Sequence, residues 1–262
     1  MNNILTLIIV NIIVAIAGWK QKSLTISGSI ATMIVGTLVS IGFGYKGLII
    51  LGVFFVSSSM WSKYKKKQKQ AVENKVAKGD QRDFIQVFAN GGVAAIAGIL
   101  YTVTQSNVWI YVFIGSIAAA CADTWASEIG TLSKRKPILV SKLKRVEAGT
   151  SGAISILGTI AGFAGAVVIA SFSYFLWDGI HFYSLVILSL IGFIGNIIDT
   201  VLGGYVQVLY KCTNCGIETE KISHCGKKTT YLKGISFFNN DVVNFLSIFL
   251  ASLLAFVLFN SI

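Results

Sequence analysis

The chain predicts an all-α membrane protein, a polytopic transmembrane helical bundle of about eight spans. Three observations carry this. Of its 262 residues, 54% are hydrophobic and only 13% charged, against about 25% charged in an average soluble domain. The mean hydropathy of the whole chain is +0.73. The apolar runs approach or exceed the roughly 20 residues that a helix needs to cross a bilayer. Glycine is abundant at 26 residues against one proline, Pro137, a balance that suits helices approaching one another closely.

The spans are expected at 3–19, 24–43, 47–62, 84–104, 107–130, 150–177, 182–209 and 238–260. The third is short, so it is either re-entrant or fused to the second. The first lacks a positively charged n-region, so it reads as an uncleaved helix, although Ala15-Ile16-Ala17 has some resemblance to a cleavage site. Polar connections at 20–23, 61–83, 131–149 and 210–237 alternate with short turns near 44–46, 105–106 and 178–181. Of the 22 Lys and Arg residues, all but Lys46 fall in the polar connections. The positive-inside rule then places the long loops in the cytoplasm and both termini outside, in an integral cell membrane protein. Residues 1–262 read as one membrane domain, with 210–237 a cysteine-rich loop inserted between the last two spans. The basic run Lys63-Tyr64-Lys65-Lys66-Lys67-Gln68-Lys69 reads first as a topology signal with affinity for anionic headgroups, and second as a mouth that attracts an anionic substrate. The bilayer is thus the expected partner and nucleic acid is not. The oligomeric state is left open.

Carboxylates carry the functional information. A charge at membrane depth is costly, which makes it a candidate functional group. Asp123, Thr124, Ser127 and Glu128 lie at the inner end of the fifth span, and Asn196, Asp199 and Gln207 in the inner half of the seventh. Gln86 and Asn90 sit near the inner start of the fourth, and Asn239, Asn240, Asp241 and Asn244 near that of the eighth. Four helices therefore offer oxygen ligands at similar depth. Helical spacing puts Asp123 with Ser127, Thr124 with Glu128, Asn196 with Asp199, and Asp241 with Asn244. Oxygen donors suit a hard cation such as magnesium, and Asp123, Asp199 and Asp241 are its candidate ligands. Interhelical hydrogen bonding is the bland alternative, and for a single amide it is the better one. The segment Gly149-Thr150-Ser151-Gly152, opening the sixth span, offers backbone N–H groups and hydroxyls to a phosphate. Lys142 and Arg145 precede it.

Cys212, Cys215, His224 and Cys225 match a small structural zinc knuckle in the last polar loop. Cys121 reads as a packing residue of the fifth span. The remaining histidine, His181, falls in an outer turn, which leaves no base for a Ser-His or Cys-His nucleophile. No Walker A sequence is present. Acids, a cation, a phosphate loop and basic connections favour phosphoryl or nucleotidyl transfer on a lipid. A phosphate acceptor is already anionic and needs no strong general base.

Taken together, Ala122–Gly130, Gln86–Gly92, Gly149–Gly152, Cys212–Gly226 and Asn239–Asn244 resemble the phytyl-phosphate kinase / transmembrane protein 19 family. The resemblance covers most of the chain. It implies a membrane kinase that converts a prenyl monophosphate to the diphosphate with a nucleoside triphosphate, CTP being one candidate donor. The family is similar, distantly, to CTP-using polyprenol kinases and phosphatidate cytidylyltransferases. On this reading Asp123, Glu128, Asn196, Asp199, Asn240 and Asp241 hold magnesium and triphosphate. Asp123, Glu128, Asp199 and Asp241 are the candidate catalytic residues. Asn90, Thr124, Ser127, Gly149, Thr150, Ser151, Gly152, Asn196, Asn240, Asn244, Lys142 and Arg145 are the candidate substrate-binding ones. Two alternatives use the same parts: a lipid-phosphate cytidylyltransferase, and a cation-coupled transporter of an anionic metabolite.

Overall fold

A computed structural model describes residues 4–73 and 75–260. The expected start of the first span at residue 3, and both chain ends, lie outside the described residues. The helices are α1 (Ile4–Lys20), α2 (Ile26–Lys63), α3 (Lys66–Glu73), α4 (Phe84–Thr104), α5 (Val108–Gly130), α6 (Ile156–Leu176), α7 (Phe182–Tyr205) and α8 (Asn240–Phe259). Six of them, α2 and α4 to α8, are long and apolar enough to cross a membrane, and α1 is a shorter apolar helix.

α2 counts twice. Its 38 residues would span roughly 57 Å if straight, at 1.5 Å per residue. Instead both ends meet the same segments. Thr25 N donates to Arg82 O at 3.1 Å, while Arg82 Nη1 donates to Ser59 Oγ at 3.1 Å and Lys63 Nζ to Gln21 O at 2.7 Å. The reversal is at Gly44, whose φ of 59° and ψ of −145° break the helix. Only glycine enters that region without steric cost. The limbs 26–43 and 45–63 are the expected second and third spans, so the described chain makes eight passes. At the reversal Phe43 packs on Tyr101 and Lys46 Nζ lies 5.7 Å from the Trp177 ring centre.

α5 is the axis of the bundle. It packs against α2, α4, α6, α7 and α8, and Ala118, Ala119, Ala120, Cys121 and Ala122 are all buried. Its neighbours come to backbone distance. A Cβ on Gly165 of α6 would lie 3.0 Å from Cys121 O, and one on Gly195 of α7 would lie 2.6 Å from Ala119 Cβ. With no hydrophobic drive between helices in lipid, such small-residue contacts are what hold a bundle.

Helix starts at the polar-loop end are capped by side chains. Asp83 and Gln86 form a capping box on α4, Ser155 caps α6 and Asn239 caps α8. Each cap satisfies N–H groups that a helix leaves unpaired and so sets where its first turn stands.

Two polar loops hold short antiparallel strands not expected in a helical reading. β1 (Ile138–Leu139) lies between β2 (Lys144–Arg145) and β3 (Ala153–Ile154). β4 (Leu209–Lys211) lies between β5 (Glu218–Thr219) and β8 (Thr230–Lys233), while β6 (Ser223–His224) pairs with β7 (Lys227–Lys228). Two span boundaries move as a result. The sixth begins at Ile156, not residue 150, because Ala153 and Ile154 join a strand. The seventh ends at Tyr205, not residue 209, because Leu209 enters β4. Apolar content marks burial and does not by itself tell a buried strand from a helix end.

The reversal at Gly44 is open to a labelling test in membranes. Lys22→Cys and Lys65→Cys, each in a background with the native cysteines replaced, are expected to react with an impermeant thiol reagent from one side. Tyr45→Cys is expected to react only from the other. Opposite labelling of positions 22 and 65 would mean that α2 crosses once.

Candidate functional site

At the polar-loop end the helices surround a cavity of about 400 Å³. α5 contributes Asp123, Thr124, Ser127 and Glu128, α7 contributes Asn196 and Asp199, and α8 contributes Asn240, Asp241 and Asn244. Asn90 of α4 and the turn Gly149-Thr150-Ser151-Gly152 complete this part of the wall. Lys142 and Arg145 are not brought to it; both are exposed in the β1–β2 connection and its strand. The cavity's cations come from elsewhere, as Lys69, Lys78 and Arg82.

The carboxylates divide into two kinds. Asp123 and Asp199, on adjacent helices, bring their carboxyl groups together. Asp199 Oδ2 also accepts from Ser247 Oγ at 3.1 Å, and the Asn244 amide, turned to donate, places its nitrogen 3.0 Å away. Two bare carboxylates in contact repel, and a proton or a cation between them relieves that repulsion. The donors around them are carboxylates, amides and hydroxyls, the oxygen set that a hard cation takes.

Glu128 and Asp241 instead carry ammonium partners. Glu128 Oε1 accepts from Ser62 Oγ at 2.7 Å and its Oε2 from Lys69 Nζ at 2.6 Å. Lys69 is 4% exposed and also donates to Trp61 O at 2.6 Å. Burying an ammonium costs several kcal/mol unless it is paired and hydrogen-bonded, and both conditions hold here. Lys78 Nζ joins Asp241 at 2.5 Å to Asp83 at 2.8 Å, tying the first turn of α8 to the cap of α4. Burial pulls the Lys78 pKa down, but the bonds to Asp241 and Asp83 outweigh it and the net shift is upward.

The glycine turn differs from its expected form. It does not open α6; it precedes β3, and Ser155 caps the helix instead. Gly152 has a φ of +75°, and a Cβ there would lie 2.2 Å from the Cα and N of Gly204 on α7. Glycine is required on both counts, so the turn is pressed against the end of α7. Ser151 Oγ donates to Gln207 Oε1 at 2.6 Å. Gln207, expected within the seventh span, stands past the helix end and is 1% exposed. Its Nε2 donates to Glu220 Oε1 at 2.8 Å, and Ala77 N donates to Glu220 Oε2 at 3.1 Å. Burial raises the Glu220 pKa, and those two bonds work against it.

Glu220 therefore brings the cysteine-rich loop into the cavity wall. On either side of it in sequence, that loop gathers Cys212, Cys215, His224 and Cys225, whose ligand atoms all lie within 4.8 Å of one another. Lys69, Lys78, Arg82 and Glu220 escape a reading of the sequence. Lys69 is one lysine in a basic run, and nothing in the local spacing marks it as the buried one. Asp83-Phe84-Ile85-Gln86 is by contrast a legible capping box, which fixes the position of the Lys78 partner.

Lys69→Met should leave Glu128 without its buried countercharge and lower stability in detergent denaturation by about 3 kcal/mol. Adding Glu128→Gln is expected to restore part of the loss. An unchanged denaturation midpoint in Lys69→Met would show that the pair contributes nothing.

Comparison with known proteins agrees with this architecture. Protein PGR of Arabidopsis thaliana is 29% identical over 94% of this chain and 93% of its own length. An uncharacterized membrane protein of Methanocaldococcus jannaschii is 36% identical over 72% of this chain and 76% of its own. Protein VTE6, chloroplastic, of Arabidopsis thaliana is 28% identical over 90% of this chain and 65% of its own. No solved structure matches. The profile of the integral membrane proteins DUF92 covers residues 9–252, in keeping with the resemblance carried by the motifs. The chain belongs to the DUF92 family of integral membrane proteins.

Proposed function

We propose that the protein is a magnesium-dependent prenyl-phosphate kinase. It transfers the terminal phosphoryl group of a nucleoside triphosphate, CTP or ATP, to an isoprenoid monophosphate. The observation that carries this reading is the Asp123–Asp199 contact, set in a cavity walled by a glycine turn and by lysines. The family resemblance to phytyl-phosphate kinase and the similarity to VTE6 over most of the chain support a phosphotransferase. By the positive-inside rule, the basic connections support a cytoplasmic side for the cavity.

Phosphoryl transfer asks a protein chiefly for positioning and for charge neutralisation. Asp123 and Asp199, with Asn196, Asn240 and Asn244 beside them, are the residues that would hold magnesium. Such an ion, when bound, would supply charge neutralisation for phosphate oxygens. Asp241 and Glu128 keep Lys78 and Lys69 fixed at the cavity wall, where their charge favours an anionic donor. Thr150 and Ser151 present hydroxyl groups to the same space. The acceptor's phosphate oxygen forms the new P–O bond as the bond between the outermost phosphorus and its bridging oxygen breaks, and the nucleoside diphosphate leaves. The acceptor is already an anion, so no side chain has to remove its proton.

The test uses the purified protein in detergent, with magnesium, γ-labelled CTP or ATP, and prenyl monophosphates of several lengths. Label is expected in a prenyl diphosphate. Asp123→Asn and Asp199→Asn are expected to lower its formation by about a hundredfold or more, the scale for losing a group that stabilises developing charge. Full activity in both variants would remove those residues from the site. Release of pyrophosphate in place of nucleoside diphosphate would replace the kinase with a cytidylyltransferase. No reaction with any donor, from folded protein, would overturn the reading.

A further inference from the structure

The cysteine-rich loop poses a question of stability. Among residues 211–237, all of them described, only Cys212 and Thr219 are buried. Strands β5, β6 and β7 have two residues each. A segment of this size with so little core cannot hold its own shape, and small units of this kind depend on a covalent or metal cross-link. Yet the loop carries an acid, the half-buried Glu220, into the wall of the cavity.

The cross-link is visible in the side chains. Cys215 and Cys225 Sγ are 3.8 Å apart, too far for a disulfide. A tetrahedral zinc with Zn–S bonds near 2.3 Å sets its sulfurs roughly 3.8 Å apart. His224 Nδ1 lies 3.4 Å from Cys215 Sγ and 3.2 Å from Cys225 Sγ, close to an edge of the same tetrahedron. Cys212 closes the group, all four ligand atoms lying within 4.8 Å. Two backbone features aim the ligands inward. Gly216 follows the first pair at a φ of +74°, and Cys225 and Gly226 turn at +51° and +72°. Loading zinc would release the protons of three thiols to solvent. The resulting net negative charge sits among Lys211, Lys227 and Lys228, all exposed.

We infer that Cys212, Cys215, His224 and Cys225 form a structural zinc site that braces the cavity wall. The four ligands leave no open position, so the metal has no part in group transfer. Its effect passes through β5. Thr219 Oγ1 donates to Lys75 O at 2.7 Å and Glu220 N donates to the same oxygen at 2.9 Å. From there Glu220 holds Gln207, and Gln207 holds Ser151 of the glycine turn. The zinc site stands at one end of this chain of contacts and the glycine turn at the other. The inference does not depend on which reaction the cavity performs.

The test needs no substrate. Elemental analysis of the full-length protein in detergent is expected to give one zinc per chain, kept in Cys121→Ala and lost in Cys215→Ala and in Cys225→Ala. All four cysteines are expected to titrate as thiols once the protein is denatured with chelator. Stripping zinc from the native protein is expected to speed amide exchange at Glu220 and Ala77 by about tenfold or more, as the local contacts open. Re-adding zinc should reverse this, which separates a brace from a folding failure in a variant. Protein that holds no zinc as purified or after incubation with it would overturn the site. So would zinc retained in both variants, or fewer than four thiols. Zinc bound at full stoichiometry with exchange unchanged on its removal would overturn the brace.

Discussion

Alanine and glycine at the waist of α5 decide how close five neighbouring elements can come. Cys121 O and Ala122 O are within about van der Waals reach of glycines on α6, and Ala118 and Ala119 face Gly192 and Gly195 on α7. In lipid, apolar area gives little preference for one helix contact over another, and close fit supplies the specificity. The position of Asp123 relative to Asp199 follows from this fit, because each lies about one turn beyond those contacts on its own helix. A methyl group added at the waist would shift the two carboxyl groups against each other before it exposed anything to lipid. Packing and chemistry in this protein share the same residues.

The polar end of the bundle obeys a second constraint. Charges set into this wall are partnered, among them Lys69 with Glu128, Lys78 with Asp83 and Asp241, and Asp199 with Ser247. These partners come from separate helices, so satisfying the charges also clamps the helix ends. The carboxylates accordingly do different work. Glu128 and Asp241 position cations, while Asp123 and Asp199 face each other.

Much of this was legible in the amino-acid sequence. Hydropathy located the passes, and the expected turn near 44–46 is the reversal at Gly44 that makes two spans of α2. The carboxylates and amides expected to converge, Gln207 excepted, do line one cavity, because helical spacing on neighbouring helices fixes face and depth together. The cation partners were not legible. A lysine's burial depends on where its long side chain finds a carboxylate, and Lys69 finds one 59 residues away. The strands were missed for a related reason. Two-residue strands carry no periodicity, and β4 stands where the apolar pattern of α7 continues. Lys142 and Arg145 look well placed in sequence, next to the glycine turn, yet β2 carries Arg145 to an exposed edge.

The contacts that close the cavity join positions far apart in the chain. Lys78 meets Asp241 across 163 residues, and Ala77 meets Glu220 across 143. The partners of Asp199 on α8 lie within the last 20 residues of the described chain. The pairs Lys69–Glu128 and Ser151–Gln207 can form without α8, but the contacts of Lys78 and Asp199 with it cannot form until the other described passes have been made. The two central acids would wait in the membrane with their polar neighbours still unmade. Completion of the site then waits for α8, the last of the described helices, and a chain lacking it would keep its other described passes but leave Asp199 without Ser247 and Asn244.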